Sequence, residues 1–319
     1  MPATLSEFDL IKTFFEGVGP KSDVVGFGVG DDCAVINIPS NNSLCISMDT
    51  MVEGIHFLPG SPPQKIAYRA LAAAMSDLAA MGAEPSHFTL SLTLPVSSYE
   101  WLSEFSLGLK ALADQFHFPL VGGDTTKGPL TISLQVHGLI PAGQALMRSG
   151  AKAGDIVAVT GTLGDAGAAL SILDRLGDRQ LTDSQLFLLN RYYYPSPRIE
   201  QGLQLRLLAS ACIDISDGLL ADASHIAERS KVELEINSES LPLSEALLTD
   251  QADNASGLAL SAGDDYELLF TISESNWKML NEQKTPHIFT RIGRVNEGAG
   301  VVVKNCTQSS KSMGYKHFE

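Results

Sequence analysis

Leu5, Phe8, Ile11, Phe14 and Phe15 recur at spacings of three and four, which predicts an amphipathic helix over residues 5–17. Residues 24–38 read as strand, glycine turn and strand, with Gly26, Gly28 and Gly30 close together. Leu44 to Asp49 alternates with period two and predicts a strand. Pro62 and Pro63 stand before an Ala-rich helix over residues 65–81, and Gly82 suits the position just past its end. A strand over 87–94, a helix over 98–115, a short strand over 118–121 running into Gly122-Gly123-Asp124, and a strand over 130–140 follow.

Beyond Gly150 to Gly154 the pattern restarts. Asp155 to Thr160 reads as a strand that enters the turn Gly161 to Gly167 and then a helix. Helices over 184–192, 198–209 and 219–229 mix with strands over 232–236, 267–272 and 289–295. Repeats and low-complexity tracts are absent from this pattern. Strand and helix mixed in both halves predict two α/β or α+β domains, residues 1–149 and 150–319.

Composition narrows the function classes. Hydrophobic residues are 44% of the 319, enough for a sizeable core, and charged residues are only 18%. The formal net charge of −15 disfavours nucleic acid and anionic lipid as partners. Anions could bind only where positive charge is supplied locally, which raises the prospect of bound metal ions. Cys33, Cys45, Cys212 and Cys306 form no close pair, so a reducing, cytoplasmic setting is expected. No signal-peptide pattern opens the chain, and the apolar stretch Ile66 to Gly82 is interrupted by Tyr68, Arg69, Ser76 and Asp77, as in a soluble helix.

The candidate chemistry lies in aspartates at turns and strand ends: Asp31, Asp32, Asp49, Asp124, Asp214, Asp217, Asp264 and Asp265. Asp77 joins them from the Ala-rich helix, where Ala70, Ala73, Ala74, Ala80 and Met81 surround it at helical spacings. A carboxylate on such a face needs a cationic partner. Arg69 or Arg148 could supply it as an ion pair, or a metal could. Gly-Asp-Asp and Gly-Gly-Asp are also ordinary turn sequences, and Asp217-Gly218 could be a turn or a helix cap. Several such motifs together are better explained by one shared oxygen-rich site for a hard divalent cation, Mg²⁺ above all.

The glycines of residues 26–30 and Gly122-Gly123 could present N–H groups to phosphate. A P-loop is excluded because no Gly-Lys-Ser/Thr triplet occurs, and the Gly161, Gly164, Gly167 spacing is not that of a dinucleotide-binding turn. His56 and Arg148, taken alone, read as structural.

As a set these stretches resemble the thiamine-monophosphate kinase family. The resemblance rests on Gly28 to Ala34, Ser47 to Phe57, Ser76 to Ala83, Gly122 to Thr126, Arg148 to Ala151, Asp214 to Leu219, Gly263 to Leu268 and Gly314 to Phe318. It implies a two-domain aminoimidazole ribonucleotide synthetase-like fold. The N-terminal domain would bind ATP and Mg²⁺ and form a homodimer, and the C-terminal domain would complete the active site. The residues implied to hold several Mg²⁺ ions are Asp32, Ser47, Met48, Asp49, Asp77, Asp124, Asp214 and Asp217. Gly123, Asp124, Arg148 and Ser216 would contact ATP, and His56, Asp264 and Tyr315 the thiamine monophosphate. Catalysis would centre on Asp49, Asp124 and Arg148. Met48 stands where the family often has Thr, and Asp264 where it usually has Glu.

The chemistry expected is direct in-line phosphoryl transfer to the substrate phosphate, which is largely ionised at neutral pH and needs no general base. Two alternatives stand beside it. Another ATP-using enzyme of the same superfamily would share the motifs. A non-enzymatic Ca²⁺-binding protein would share the carboxylates, although no EF-hand loop occurs.

Overall fold

Residues 7–175, 180–282 and 289–305 are described by the computed structural model. The chain divides into two compact units, Met1–Leu78 with Ala83–Gly143, and Ala79–Gly82 with Gln144–Glu319.

The first unit carries, in order, α1 (Glu7–Phe14), β1 (Val25–Phe27), β2 (Val35–Ile36), β3 (Asn42–Val52), α2 (Pro63–Ala80), β4 (Glu84–Leu94), α3 (Tyr99–Gln115), β5 (Leu120–Lys127) and β6 (Thr131–Pro141). β1 and β2 form a two-stranded ribbon, and the other strands form a four-stranded sheet in the order β3-β6-β4-β5. Only β4 and β5 run parallel; β3/β6 and β4/β6 are antiparallel. The period-two alternation of β3 sorts its residues cleanly: Met51 is buried and Leu44, Ile46 and Met48 are exposed. Phe88, Leu90, Ile132, Leu134 and Val136 belong to the core, as do Leu71 and Met75 of α2 and Leu102, Phe105 and Leu109 of α3. Ser98 caps α3, its hydroxyl accepting from the Trp101 N–H. Gly108 lets α3 approach α2 closely, because a Cβ there would meet the Gln64 carbonyl.

The second unit carries β7 (Ile156–Thr160), α4 (Asp165–Leu173), α5 (Asp183–Tyr193), α6 (Ile199–Leu205), β8 (Ala209–Asp214), α7 (Leu219–Ser230) and β9 (Glu233–Asn237). It continues with α8 (Glu245–Gln251), α9 (Ala255–Ser261), β10 (Leu268–Ile272), α10 (Glu274–Glu282), β11 (Phe289–Asn296) and β12 (Gly300–Lys304). The six strands pair in the order β12-β9-β11-β7-β10-β8, antiparallel throughout except β12 with β9. β7 and β10 are buried along their whole length, as central strands covered on both faces must be. α7 packs into one core through Leu219, Ala223 and Ile226, while α4, α5 and α8 share another around Leu188 and Tyr192.

Two differences from the sequence pattern matter for the site. The strand expected to stop at Val121 runs on to Lys127, so Gly122-Gly123-Asp124 lies inside β5 rather than in a turn after it. Gly123 permits this by pairing directly with Leu90, whose carbonyl leaves no room for a Cβ. The segment expected as helix over 198–209 ends at Leu205, and Ala209 opens β8, which delivers Asp214 to its end.

Candidate functional site

In the first unit, the alternation of β3 turns Ser47 and Asp49 toward the side on which α2 lies. There the Ser47 hydroxyl donates a short hydrogen bond to Asp77 of α2. Asp49 is pushed up to about 6, first by burial and then by the nearby charge of Asp77. Two carboxylates and a hydroxyl therefore converge in a poorly solvated place. Met48, between Ser47 and Asp49, points its side chain to the opposite face and is 59% exposed.

His56 follows on the loop after β3. Its Nδ1 accepts from the Val52 N–H at 3.0 Å, so the proton of the neutral ring sits on Nε2. Arg69 of α2, only 2% exposed, donates to the His56 carbonyl at 2.7 Å and touches the Met51 sulfur. Arg69 thus braces the loop that carries His56.

A second group of candidates lines a cleft of about 670 Å³ formed by α1, the loop before β2 and β5. Asp31, Asp32, Gly123 and Asp124 give it a polar end, and Ile11 and Phe15 an apolar one. The Asp32 N–H is turned onto the Asp31 carboxylate at 2.9 Å. β3 and β5 are the opposite edges of the sheet. Three strand spacings of about 4.8 Å separate them, so within this unit Asp124 does not join Asp49 and Asp77. Register also sets them on opposite faces: Asp49 pairs with Leu134, Leu134 with Leu90, and Leu90 with Gly123, one residue before Asp124.

In the second unit two segments are zipped together. The Asp264 N–H donates to the Ser216 carbonyl at 2.9 Å, the Tyr266 N–H to the Ile215 carbonyl at 2.8 Å, and the Ile215 N–H to the Glu267 carbonyl at 2.7 Å. Asp214, Ser216, Asp217 and Asp264 are thereby brought into one neighbourhood. Asp264 and Tyr266 both adopt positive φ, 68° and 51°, and the Tyr266 hydroxyl donates to the Asp264 carboxylate at 3.0 Å. Such backbone costs energy in any residue but glycine, and an ion-paired anchor sits next to it. Glu267 is fully buried and receives Arg198 and Arg191, which hold its carboxyl below the usual range against the opposing effect of burial. Asp265, pushed up to about 8 chiefly by burial, accepts the Gly164 N–H at 2.7 Å.

The loop Ser216-Asp217-Gly218 has its own anchor. Asp222, 2% exposed on the first turn of α7, accepts the N–H groups of all three residues on one carboxylate oxygen at 3.0–3.1 Å. Burial, then the charge of Asp217, raises Asp222 to about 7, and these N–H groups oppose the rise. Gly218, not Asp217, occupies the cap position of α7. Arg148 is exposed, and the preceding Met147 carbonyl takes the Cys212 N–H of β8 at 2.9 Å. Tyr315 and the rest of the Gly314 to Phe318 stretch lie outside the described residues.

The donor set suits a hard cation. Among the described residues no three His, Cys, Asp or Glu side chains form a ready-made cage. Mg²⁺ does not require one, since it keeps several waters and is usually held by one or two carboxylates together with substrate phosphates. The Asp49–Asp77 pair, whose mutual charge raises Asp49, matches that requirement.

The chain matches known proteins along most of its length. Residues 30–140 match the AIR synthase related protein N-terminal domain, and residues 152–304 the corresponding C-terminal domain. A thiamine-monophosphate kinase of Salmonella typhimurium is 46% identical over 98% of both chains. A crystal structure of thiamine-monophosphate kinase from Stenotrophomonas maltophilia superposes with a TM-score of 0.84 at 42% identity, covering 88% of this chain and 91% of that one. AaThiL, solved in complex with AMPPCP and TMP, superposes with a TM-score of 0.79 at 35% identity over 98% and 97% of the two chains.

Proposed function

We propose a function from one premise: the chain belongs to the thiamine-monophosphate kinase family of the AIR synthase related proteins. It transfers the γ-phosphoryl group of ATP to the phosphate of thiamine monophosphate, giving thiamine diphosphate and ADP. The observation that carries this reading is the agreement with a thiamine-monophosphate kinase along both units rather than over one motif. The relative solved with AMPPCP and TMP supports the same pair of substrates.

Transfer is direct. An oxygen of the acceptor phosphate forms the new bond to the γ-phosphorus as the bond to the β–γ bridging oxygen breaks and ADP leaves with the electron pair. The acceptor is already ionised near neutral pH, so the chain has to position two anions rather than remove a proton. Asp32, Ser47, Asp49, Asp77 and Asp124 of the first unit, and Asp214 and Asp217 of the second, are the residues assigned to hold Mg²⁺. Met48 would contribute its carbonyl, since its side chain is turned to the other face. When bound, Mg²⁺ supplies the positive charge that an acidic chain lacks. Gly123, Asp124, Arg148 and Ser216 are assigned to ATP, with Arg148 opposing the charge that builds up on the transferring group. His56, Asp264 and Tyr315 are assigned to thiamine monophosphate. We also assign the chain to the cytoplasm and to a homodimer formed through the first unit, which the exposed row Leu44, Ile46 and Met48 supports.

The test is an ADP-release assay with ATP and Mg²⁺, offering thiamine monophosphate, thiamine or no acceptor. Turnover is expected with thiamine monophosphate alone, and no radiolabel from γ-labelled ATP should stay on the protein. Equal turnover without acceptor, or a labelled enzyme, would overturn direct transfer.

A further inference from the structure

One side-chain oxygen of the second unit that takes three N–H groups belongs to none of the residues assigned so far. One oxygen of Asp222 takes three consecutive backbone N–H groups, from Ser216, Asp217 and Gly218 at 3.1, 3.1 and 3.0 Å. Successive N–H groups aimed at one point form an anion-binding concavity. Here the anion is a carboxylate of the same chain, 2% exposed. Its effect is to divide the labour in the loop. The N–H groups at the start of α7 would otherwise call on the side chain of Asp217 or Ser216 as a cap. Asp222 satisfies them from inside the helix, and among the described residues the side chains of Ser216 and Asp217 make no hydrogen bond elsewhere in the chain.

The other side of the loop is fixed as well. The Ser216 carbonyl is taken by the Asp264 N–H at 2.9 Å. Gly218 has a φ of 119° and faces the Ser261 carbonyl, so a side chain there would collide. The loop therefore has one conformation set from two directions, and its two polar side chains are left for ligands.

We propose that Asp222 is a positioning residue: by binding the three N–H groups it holds Ser216 and Asp217 in the conformation that receives ATP and Mg²⁺. This rests on the metal and ATP roles proposed above for those two residues. Groups that orient a metal ligand without touching the metal typically contribute about 10–100-fold to metal affinity.

Two measurements test it. In the metal-free, nucleotide-free protein, amide hydrogen exchange at Ser216, Asp217 and Gly218 is expected to be slow in the wild type and at least about tenfold faster in Asp222→Ala, with β8 unchanged. In steady-state assays Asp222→Ala should raise the Mg²⁺ concentration for half-activation by about 10–100-fold, and leave KM for thiamine monophosphate within a few-fold. Asp222→Asn keeps an acceptor oxygen in place and should restore both readouts most of the way. If Asp222→Ala does not fold, Asp222→Ser takes its place, since its shorter side chain cannot serve all three N–H groups. Unchanged exchange at the three amides, or an unmoved Mg²⁺ midpoint, overturns the proposal. So does an equal loss in Asp222→Asn, which would assign the effect to charge. Asp217→Asn is measured alongside: a Mg²⁺ midpoint that ignores Asp217 itself would instead remove the metal reading on which the proposal rests.

Discussion

Asp49, Asp77 and Ser47 show how a small set of side chains can prepare for a cation. The Ser47 hydroxyl already donates to Asp77, and Asp49 is raised to about 6 by burial and by Asp77. Asp49→Asn and Asp77→Asn are each expected to reduce turnover by orders of magnitude with little change in Tm, because each removes charge without removing volume. Purified variants that turn over near the wild-type rate would show that the pair does not serve the reaction. Asp264 gives a gentler case. Its carboxylate receives the Tyr266 hydroxyl at 3.0 Å. If Asp264 makes the proposed charged contact with the substrate, worth about 1.5–3 kcal/mol, Asp264→Ala should raise KM for thiamine monophosphate about tenfold or more and leave KM for ATP nearly unchanged. Asp264→Glu should be tolerated within a few-fold. A selective loss of ATP binding in Asp264→Ala would reassign the position.

Among the elements, β4 and β6 carry a stacked pair of imidazoles, His87 and His137, with ring centroids 4.4 Å apart. Burial, and then the neighbouring His137, lowers His87 to about 4, while the unfolded chain titrates near 6.5. The folded protein keeps His87 neutral where the unfolded chain would take a proton. His87 thus costs nothing above about pH 6.5 and destabilises the fold progressively as pH falls from there toward about 4. His87→Gln removes that titration, so Tm measured against pH should shift in favour of the variant over that window. Groups away from this pair titrate alike in both proteins and cancel in the difference, whereas His137, stacked on His87, changes with it; a constant gap in Tm from pH 7 to pH 4 would refute the sign. The pair also marks what was legible in the sequence. Alternation exposed β3 and β6, and small residues, prolines and a C-terminal glycine exposed α2, because each is a local signal. β8, α8, α9, α10 and β12 were not anticipated, since segments of five to nine residues are too short for a period to stand out from their neighbours. The aspartates of the site were legible as residue types beside glycine, at strand ends or, for Asp77, on an apolar helix face. Their anchors Asp222, Arg69, Arg191, Arg198 and Glu267 were not, because what defines them is a partner distant in sequence or an N–H group at a helix end, as with Arg198 and Glu267, 69 positions apart.

At the scale of the whole molecule, a chain with a net charge of −15 leaves an apolar row uncovered on the first unit's sheet. Leu44, Ile46 and Met48 are 39%, 56% and 59% exposed along β3, an edge strand. Edge strands and apolar patches of this kind are usually covered in a stable protein. A homodimer would cover them, and it would have to form against the mutual repulsion of two acidic chains. The attraction must then be mainly apolar, and added salt should strengthen it by screening the repulsion, with a Debye length that falls from about 30 Å at 0.01 M to about 8 Å at 0.15 M ionic strength. Light scattering is expected to give twice the chain mass of 34.1 kDa for the wild type. Ile46→Lys places a charge in the middle of the row and should shift the protein to the monomer with its circular dichroism unchanged. Wild-type protein that is monomeric at micromolar concentration, or an Ile46→Lys variant that remains a dimer, would rule out this face as the interface. Dissociation favoured by high salt instead of low would show that ion pairs, not the apolar row, hold the two chains together.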